Sequence, residues 1–451
     1  MLQGPAAALW RETRDALVAD GHRVLHVSLA LGDRLFWRRP GRIDYHGRLE
    51  DWPAWLAALV AREGVSDILY FRDCLPYHRA AAALAETRGL RAWAIENGYL
   101  RPDWLTMEPF GMGRHSRFTR RAETIRALAA KAPAVDMAPR FRVPFPTEAR
   151  CEMAFNLAHA LGKPVYRGWT DDRPVPAWRE YLGWVPYLAR RRRARREAEA
   201  VEARCRCAVA PYTLVALQME TDYQVRVSSA FGGQAEMLEL VMLSFARRAA
   251  AGHRLVIKIH PFDNGLIDWR GVAAGLATRF GVEGRVDVIR GGRLDVLLAR
   301  AHGLVTINST TAVHALRLGR PVMVLGDAVF DVAGITHQGG LDRFWGAAEA
   351  PDPAMVDAWC RAAAAEIQVR GSQMHPAGRR AAAAEIAQRL AMAERYWRLY
   401  RDGDGHEAAP IAPAADAFPA GAVACKAPPL PEIPRVASTT DPPPTRRRAT
   451  G

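Results

Sequence analysis

The feature that most narrows the choice of fold is a strand–helix rhythm that runs twice along the chain. From about residue 207, "YTLVALQ", the helical "QAEMLELVMLSFARRAAAG", "RLVIKIHP", "RVDVIRGG", "RLDVLLARA", "GLVTINS", "TTAVHALRLG" and "RPVMVLGD" follow one another. Short apolar runs separated by helical stretches become neighbours in a parallel sheet, because each helix carries the chain back across the sheet before the next strand begins. The first 185 residues carry a similar rhythm in "RVLHVSL", "SDILYFRD", "YHRAAAALAETRG" and "LRAWAIENG". Met1–Pro5 reads as the end of a first strand entering a glycine turn, so further residues are expected upstream of Met1. The expected fold class is α/β, with two doubly wound halves. An N-terminal domain covers 1–185, a basic linker helix 186–206, a C-terminal domain 207–345, further helices 346–402, and a disordered Pro/Ala-rich tail 403–451. That tail holds too little apolar surface to offset its ordering entropy.

A chain of 451 residues with 49% hydrophobic and 24% charged residues has material for more than one core. The formal net charge of +14 favours a polyanionic partner: a phosphate-bearing substrate, an acidic lipid or a nucleic acid. No helix-turn-helix, zinc or RNA-binding signature is present, so nucleic acid is not expected. The six cysteines are scattered, with no metal-type pairs, and predict neither a disulfide framework nor a zinc site. No signal peptide is evident, and no window approaches the roughly 18 apolar residues of a spanning helix. A cytoplasmic protein is expected, which would meet a membrane from its inner face. The run Arg190 to Arg193 with Arg195 and Arg196 is either a solvated helix face or an attraction for anionic lipid.

In an open α/β sheet, ligands bind beyond the carboxyl ends of the strands. That rule places Thr221–Gln224, Lys258, His260-Pro261, Gly291-Gly292, Asn308-Ser309-Thr310 and Gly326-Asp327 along one edge of the second half. Asn308-Ser309-Thr310 either caps a helix or holds a phosphate or carboxylate, and Lys258 with His260 favours the anion. Asp222 is a turn or cap aspartate, or a base, nucleophile or cation stabiliser. Glu96 ends "LRAWAI" in the first half, followed by Gly98, Tyr99, Arg101 and Glu108. One carboxylate from each half, facing across a cleft, suits glycosyl transfer.

The segments "GDRLFW" (32–37), "IENGYLRPDWLTME" (95–108), "LQMETDYQVR" (217–226), "KIHP" (258–261) and "NSTT" (308–311), in this order, resemble the capsular polysaccharide biosynthesis proteins of KpsS/LipB type. The resemblance covers about residues 2 to 345. It implies a GT-B-like pair of Rossmann-type domains, acceptor-side then CMP-sugar-binding, facing across a cleft. It implies a retaining transferase that moves 3-deoxy-manno-octulosonic acid (Kdo) from CMP-Kdo to a phosphatidylglycerol-type lipid, at the inner surface of the cytoplasmic membrane and alongside other capsule synthesis and export proteins. By the same resemblance His260 and Pro261 hold the CMP, with Lys258 and Asn308; Ser309 and Thr310 contact phosphate or the Kdo carboxylate. Asp222 is the nucleophile and Glu96 the acid/base, while Gly98, Tyr99, Arg101 and Gln224 contact acceptor or sugar. Asn97 stands where relatives often carry a second acid, so Glu108 and Glu220 remain alternative bases. No cofactor or metal is expected. A CDP-polyol phosphotransferase of teichoic-acid type and a non-catalytic membrane adaptor of capsule export are the other readings.

Overall fold

The computed structural model describes residues 1–170, 175–207, 210–263, 265–394 and 397. A first lobe is built from α1 (Leu9–Ala19), β1 (His26–Ser28), α2 (Leu31–Trp37), β2 (Arg42–Asp44), α3 (Trp52–Glu63), β3 (Asp67–Phe71), α4 (Pro76–Arg88), β4 (Arg91–Asn97) and β5 (Trp104–Pro109). Helices α5 (Ala122–Lys131), α6 (Phe145–Gly162) and α7 (Ala177–Cys207) follow. The second lobe contains β6 (Tyr212–Ala216), α8 (Tyr223–Val227), α9 (Gln234–Arg248), β7 (Arg254–Ile259), α10 (Trp269–Phe280), β8 (Val286–Arg290), α11 (Leu294–Ala299), β9 (Gly303–Thr306), α12 (Thr311–Arg317), β10 (Val322–Val324) and α13 (Leu341–Ala347). The described chain continues through α14 (Pro353–Glu366), β11 (Gln368–Arg370) and α15 (Pro376–Ala391). The tail expected over 403–451 lies outside the described residues.

The second sheet has the order β10-β9-β6-β7-β8 and is parallel throughout. Its chain-first strand sits in the middle, as the doubly wound expectation requires. Both faces are covered, so β6 and β9 are buried along their whole length and read as continuous apolar runs. Leu214, Val256 and Leu304 face one core; Val215, Ile257 and Val305 face the other.

The first sheet repeats that plan through residues too few to form a full strand. Met1 accepts from the Val27 N–H at 2.9 Å, and the Leu2 N–H donates to Leu69 O at 2.8 Å. Residues 1–3 therefore lie between β1 and β3, parallel to both, and give the order β2, β1, residues 1–3, β3, β4. Beyond β4 the parallel rhythm stops: β5 runs antiparallel to β4, and β11 antiparallel to β5. The turn from Gly98 to Asp103 is too short for a helical crossover, so β5 must reverse. β11 comes from the far end of the chain, and α15 follows it onto α1, where Arg379 Nε donates to Glu12 at 2.9 Å. The charged helix expected over 186–206 belongs to the longer α7, which buries Ala198, Val201 and Cys205 against the second lobe while Arg190 to Arg193, Arg195 and Arg196 stay exposed.

Candidate active site between the lobes

In each sheet the winding reverses beside the chain-first strand, between residues 1–3 and β3 in one lobe and between β6 and β9 in the other. Loops leaving adjacent strands in opposite directions open a crevice there. Into it run Arg72 and Asp73 after β3, Glu96 near the end of β4, Gln218 to Asp222 after β6, His260 after β7, and Asn308 to Thr310 after β9.

The lobes are held together around α8. Arg114 Nη1 donates to Val227 O at 2.7 Å, and the Arg114 N–H reaches Ser228 Oγ at 3.4 Å. Gly113 approaches so closely that a Cβ there would lie 2.5 Å from Gln224 Oε1; its φ of +60° is a second reason for glycine. Gln224 thus belongs to the junction of the lobes.

Glu96 is 22% exposed, with Arg72 Nε at 4.0 Å. Burial pushes its carboxyl up to about 7; the Arg72 and Arg101 charges oppose this, while Asp73 and Asp222 reinforce it. Carboxylates from both lobes therefore act on one proton. Asp222 caps α8, its Oδ1 accepting from the Gln224 N–H at 3.0 Å, while Oδ2 faces Gln218 Nε2 at 3.4 Å. The cap reading of Asp222 does not exclude the catalytic one, because a carboxylate that accepts from one N–H keeps lone pairs for further partners.

Asp73 escaped the sequence reading. It is buried, with one oxygen accepting from the Met112 N–H at 2.8 Å. Burial raises its carboxyl, while the Met112 N–H, the Tyr223 phenol from the other lobe and His115 hold it down. Its signal was available: "SDILYFRD" ends a strand on an aspartate, as "LRAWAIE" ends one on a glutamate.

His260 is held as a neutral ring. Its Nδ1 accepts from the Phe262 N–H at 3.1 Å, and burial pulls its pKa down to about 4, with the Lys258 and Arg101 charges assisting and Asp222 and Asp263 opposing. A neutral imidazole that accepts at Nδ1 carries its proton on Nε2 and is a donor there. Pro261 is exposed beside it. Lys258 is buried on β7, its pKa lowered by burial and supported by the Glu202 charge.

Several candidates are spent on packing. Asn308 donates to Gln224 O at 3.1 Å and Ser228 O at 3.2 Å and accepts from Gln218 at 3.0 Å, bracing β9 to α8. Ser309 Oγ bonds to Thr311 Oγ1 at 3.1 Å, whereas Thr310 makes no side-chain cap bond. Gly98 is buried in the β4–β5 turn. The Tyr99 hydroxyl donates to Glu108 at 2.8 Å; Glu108 is fully buried, also accepts from Ser116, and is raised to about 8 by burial. Glu220 accepts from the Gln234 N–H at 3.0 Å. Arg101 alone of the proposed acceptor contacts stands exposed, and its charge acts on both Glu96 and His260. Among the described residues no group of three or more His, Cys, Asp or Glu could hold a metal ion.

A profile of the family described as "Capsule polysaccharide biosynthesis protein" matches residues 66–373. The capsule polysaccharide export protein KpsS of Escherichia coli is 30% identical over 365 residues, 78% of this chain and 90% of that protein. The capsule polysaccharide modification protein LipB of Neisseria meningitidis serogroup B is 28% identical over 369 residues, 80% of this chain and 87% of that protein. A solved structure of Thermosulfurimonas dismutans KpsC, a beta Kdo 2,7 transferase, aligns with 81% of this chain and 95% of its own at 15% identity and a TM-score of 0.39. The family match spans the crevice from Asp73 and Glu96 through Asp222 and His260 to Thr310, and the chain belongs to the capsule polysaccharide biosynthesis protein family.

Proposed function

We propose that the chain is a retaining glycosyltransferase that moves Kdo from CMP-Kdo to a phosphatidylglycerol-type lipid, on the inner face of the cytoplasmic membrane, to start the linker of a capsular polysaccharide. The observation that carries this reading is the convergence of two carboxylates from different lobes on one crevice: Glu96, partly exposed beside Arg72, and Asp222, which caps the α8 that Arg114 ties to the first lobe. Retention takes two displacements, and so needs a nucleophile and an acid/base. In the first, an Asp222 oxygen bonds to the anomeric carbon of Kdo as that carbon's bond to the CMP phosphate oxygen breaks, the electron pair leaving with CMP. In the second, the acceptor hydroxyl gives its proton to Glu96, bonds to the same carbon and releases Asp222. A carboxyl titrating near 7 suits that proton transfer at neutral pH.

The departing phosphate is met by the Nε2–H of His260, the Arg101 guanidinium and the Thr310 hydroxyl, with Lys258 adding positive charge nearby. No cofactor enters this scheme. The test is transfer from CMP-Kdo, generated in situ, to a fluorescent phosphatidylglycerol analogue, followed by product mass. A gain of Kdo with wild type and none with Asp222→Asn supports the reading. Turnover of CDP-glycerol instead would make the chain a polyol phosphotransferase, and lipid binding without turnover of either donor would make it an adaptor.

A further inference from the structure

Helix α6 is apolar on two sides, which is unusual for a helix at a protein surface. One side is accounted for: Phe155 packs on Phe36 of α2, His159 on Trp169, and Gly162 lies against Leu31. The other presents Met153, Leu157 and Leu161 at successive turns, 52%, 60% and 67% exposed, with Val165 just beyond. The start of α7 lies alongside, joined by the hydrogen bond from Asn156 Nδ2 to Tyr181 OH at 2.9 Å, and adds exposed Trp178 and Leu182. Phe145 stacks on exposed Phe262 at 5.3 Å, which carries the same surface to the His260-Pro261 corner. Most of the large apolar side chains exposed among the described residues lie in this one region. A contiguous apolar surface of this kind marks an interaction site.

The charges around it select the occupant. Exposed Arg150, Lys163 and Arg167 flank the α6 ridge, and α7 runs from Trp178 and Leu182 directly into Arg190–Arg193, Arg195 and Arg196. Arg193 and Arg195 are offset by Glu197 and Glu199, and the rest of the run adds to the positive field. An apolar ridge rimmed by arginine and lysine is complementary to an anionic bilayer, whose acyl boundary takes the leucines and tryptophan while its headgroups meet the cations. We propose that the α6–α7 face is the membrane-docking surface of this protein and that its occupant is an anionic phospholipid bilayer. The docking surface stands whatever the donor sugar or the acceptor of the proposed transfer.

The test is sedimentation of the full chain with vesicles of phosphatidylcholine alone or mixed with phosphatidylglycerol, without any donor, so that its failure and a failure of the transfer reading are separate results. Wild type is expected to partition onto the anionic vesicles and to weaken with salt. Leu157→Ser with Leu161→Ser is expected to lower the partition coefficient about tenfold. Replacing Arg190 to Arg193 by glutamine is expected to remove most of the salt dependence. All these positions are exposed, so unchanged thermal unfolding identifies folded variants. Vesicle binding equal to wild type in both folded variants overturns the proposal. So does wild-type indifference to vesicles with a leucine-dependent dimer in sedimentation velocity, which would make the occupant a second copy of the chain.

Discussion

Glu96 on β4 and Asp222 at the start of α8 come from opposite lobes, yet the Asp222 charge is one of the two that help burial keep the Glu96 proton on to about pH 7. Glu96 therefore responds to lobe closure as well as to pH. If Arg114 released Val227 and the lobes parted, Asp222 would recede and its contribution would fade.

Glu96→Gln is expected to abolish most transfer while stabilising the protein at alkaline pH. The folded carboxyl titrates near 7 against an ordinary 4.5, so the folded state holds the proton more tightly. Its stabilising contribution is complete below about 4.5 and is lost as pH rises through about 7. At pH 8 the neutral amide should gain about 1–2 kcal/mol, less than the whole shift implies because the carboxyl is 22% exposed, and close to nothing at pH 5. Urea unfolding at the two pH values checks this, and wild-type transfer should rise with pH through about 7.

Asp222→Asn separates the two duties of Asp222. Asparagine is an equal helix cap, so folding and CMP binding should be unchanged while transfer falls at least about a thousandfold. Asp222→Ala should lose transfer equally and also cost about 1 kcal/mol of stability. Product mass and urea unfolding of both variants read the two effects apart.

His260→Ala is expected to weaken CMP binding by about tenfold or more, the worth of one hydrogen bond to a charged phosphate. Because the ring becomes protonated only near pH 4, the histidine should add no pH dependence to CMP affinity between pH 5 and 8. Titration calorimetry across that range measures both.

Gly98→Ala is expected to destabilise the first lobe by about 2 kcal/mol or more, since its Cβ would lie 2.6 Å from both Trp104 O and Gln368 Oε1. The glycine that resemblance made an acceptor contact is a packing residue in the structure. A lowered melting temperature with normal CMP affinity in the folded protein would fit that role; an unchanged melting temperature would not.

The second lobe was legible from residue types alone, because a strand buried on both faces must be apolar along its length, and "TLVA", "LVIKI" and "GLVT" alternate with helices. The same logic placed His260, Asp222 and Glu96 at strand ends, since the carboxyl ends of strands are where a parallel sheet exposes loops. Local pattern could not show the reversal at β5, which follows from a turn too short for a crossover, or the return of β11 and α15 to the first lobe, which joins residues far apart in the chain. Nor could it tell a hydroxyl or amide facing a ligand from one already bonded to its neighbours. Asn308 and Tyr99, expected at the donor and acceptor sites, are bonded to Gln224 and Glu108 in the structure, while Asp73 joins the crevice only because the Tyr223 side of the other lobe closes over it. The sequence by itself determined which segments are strands and which loops reach the rim, because burial and chain reversal act on neighbouring residues. Which polar groups are left free, and which carboxylates share a field, was decided only when two lobes distant in sequence came together.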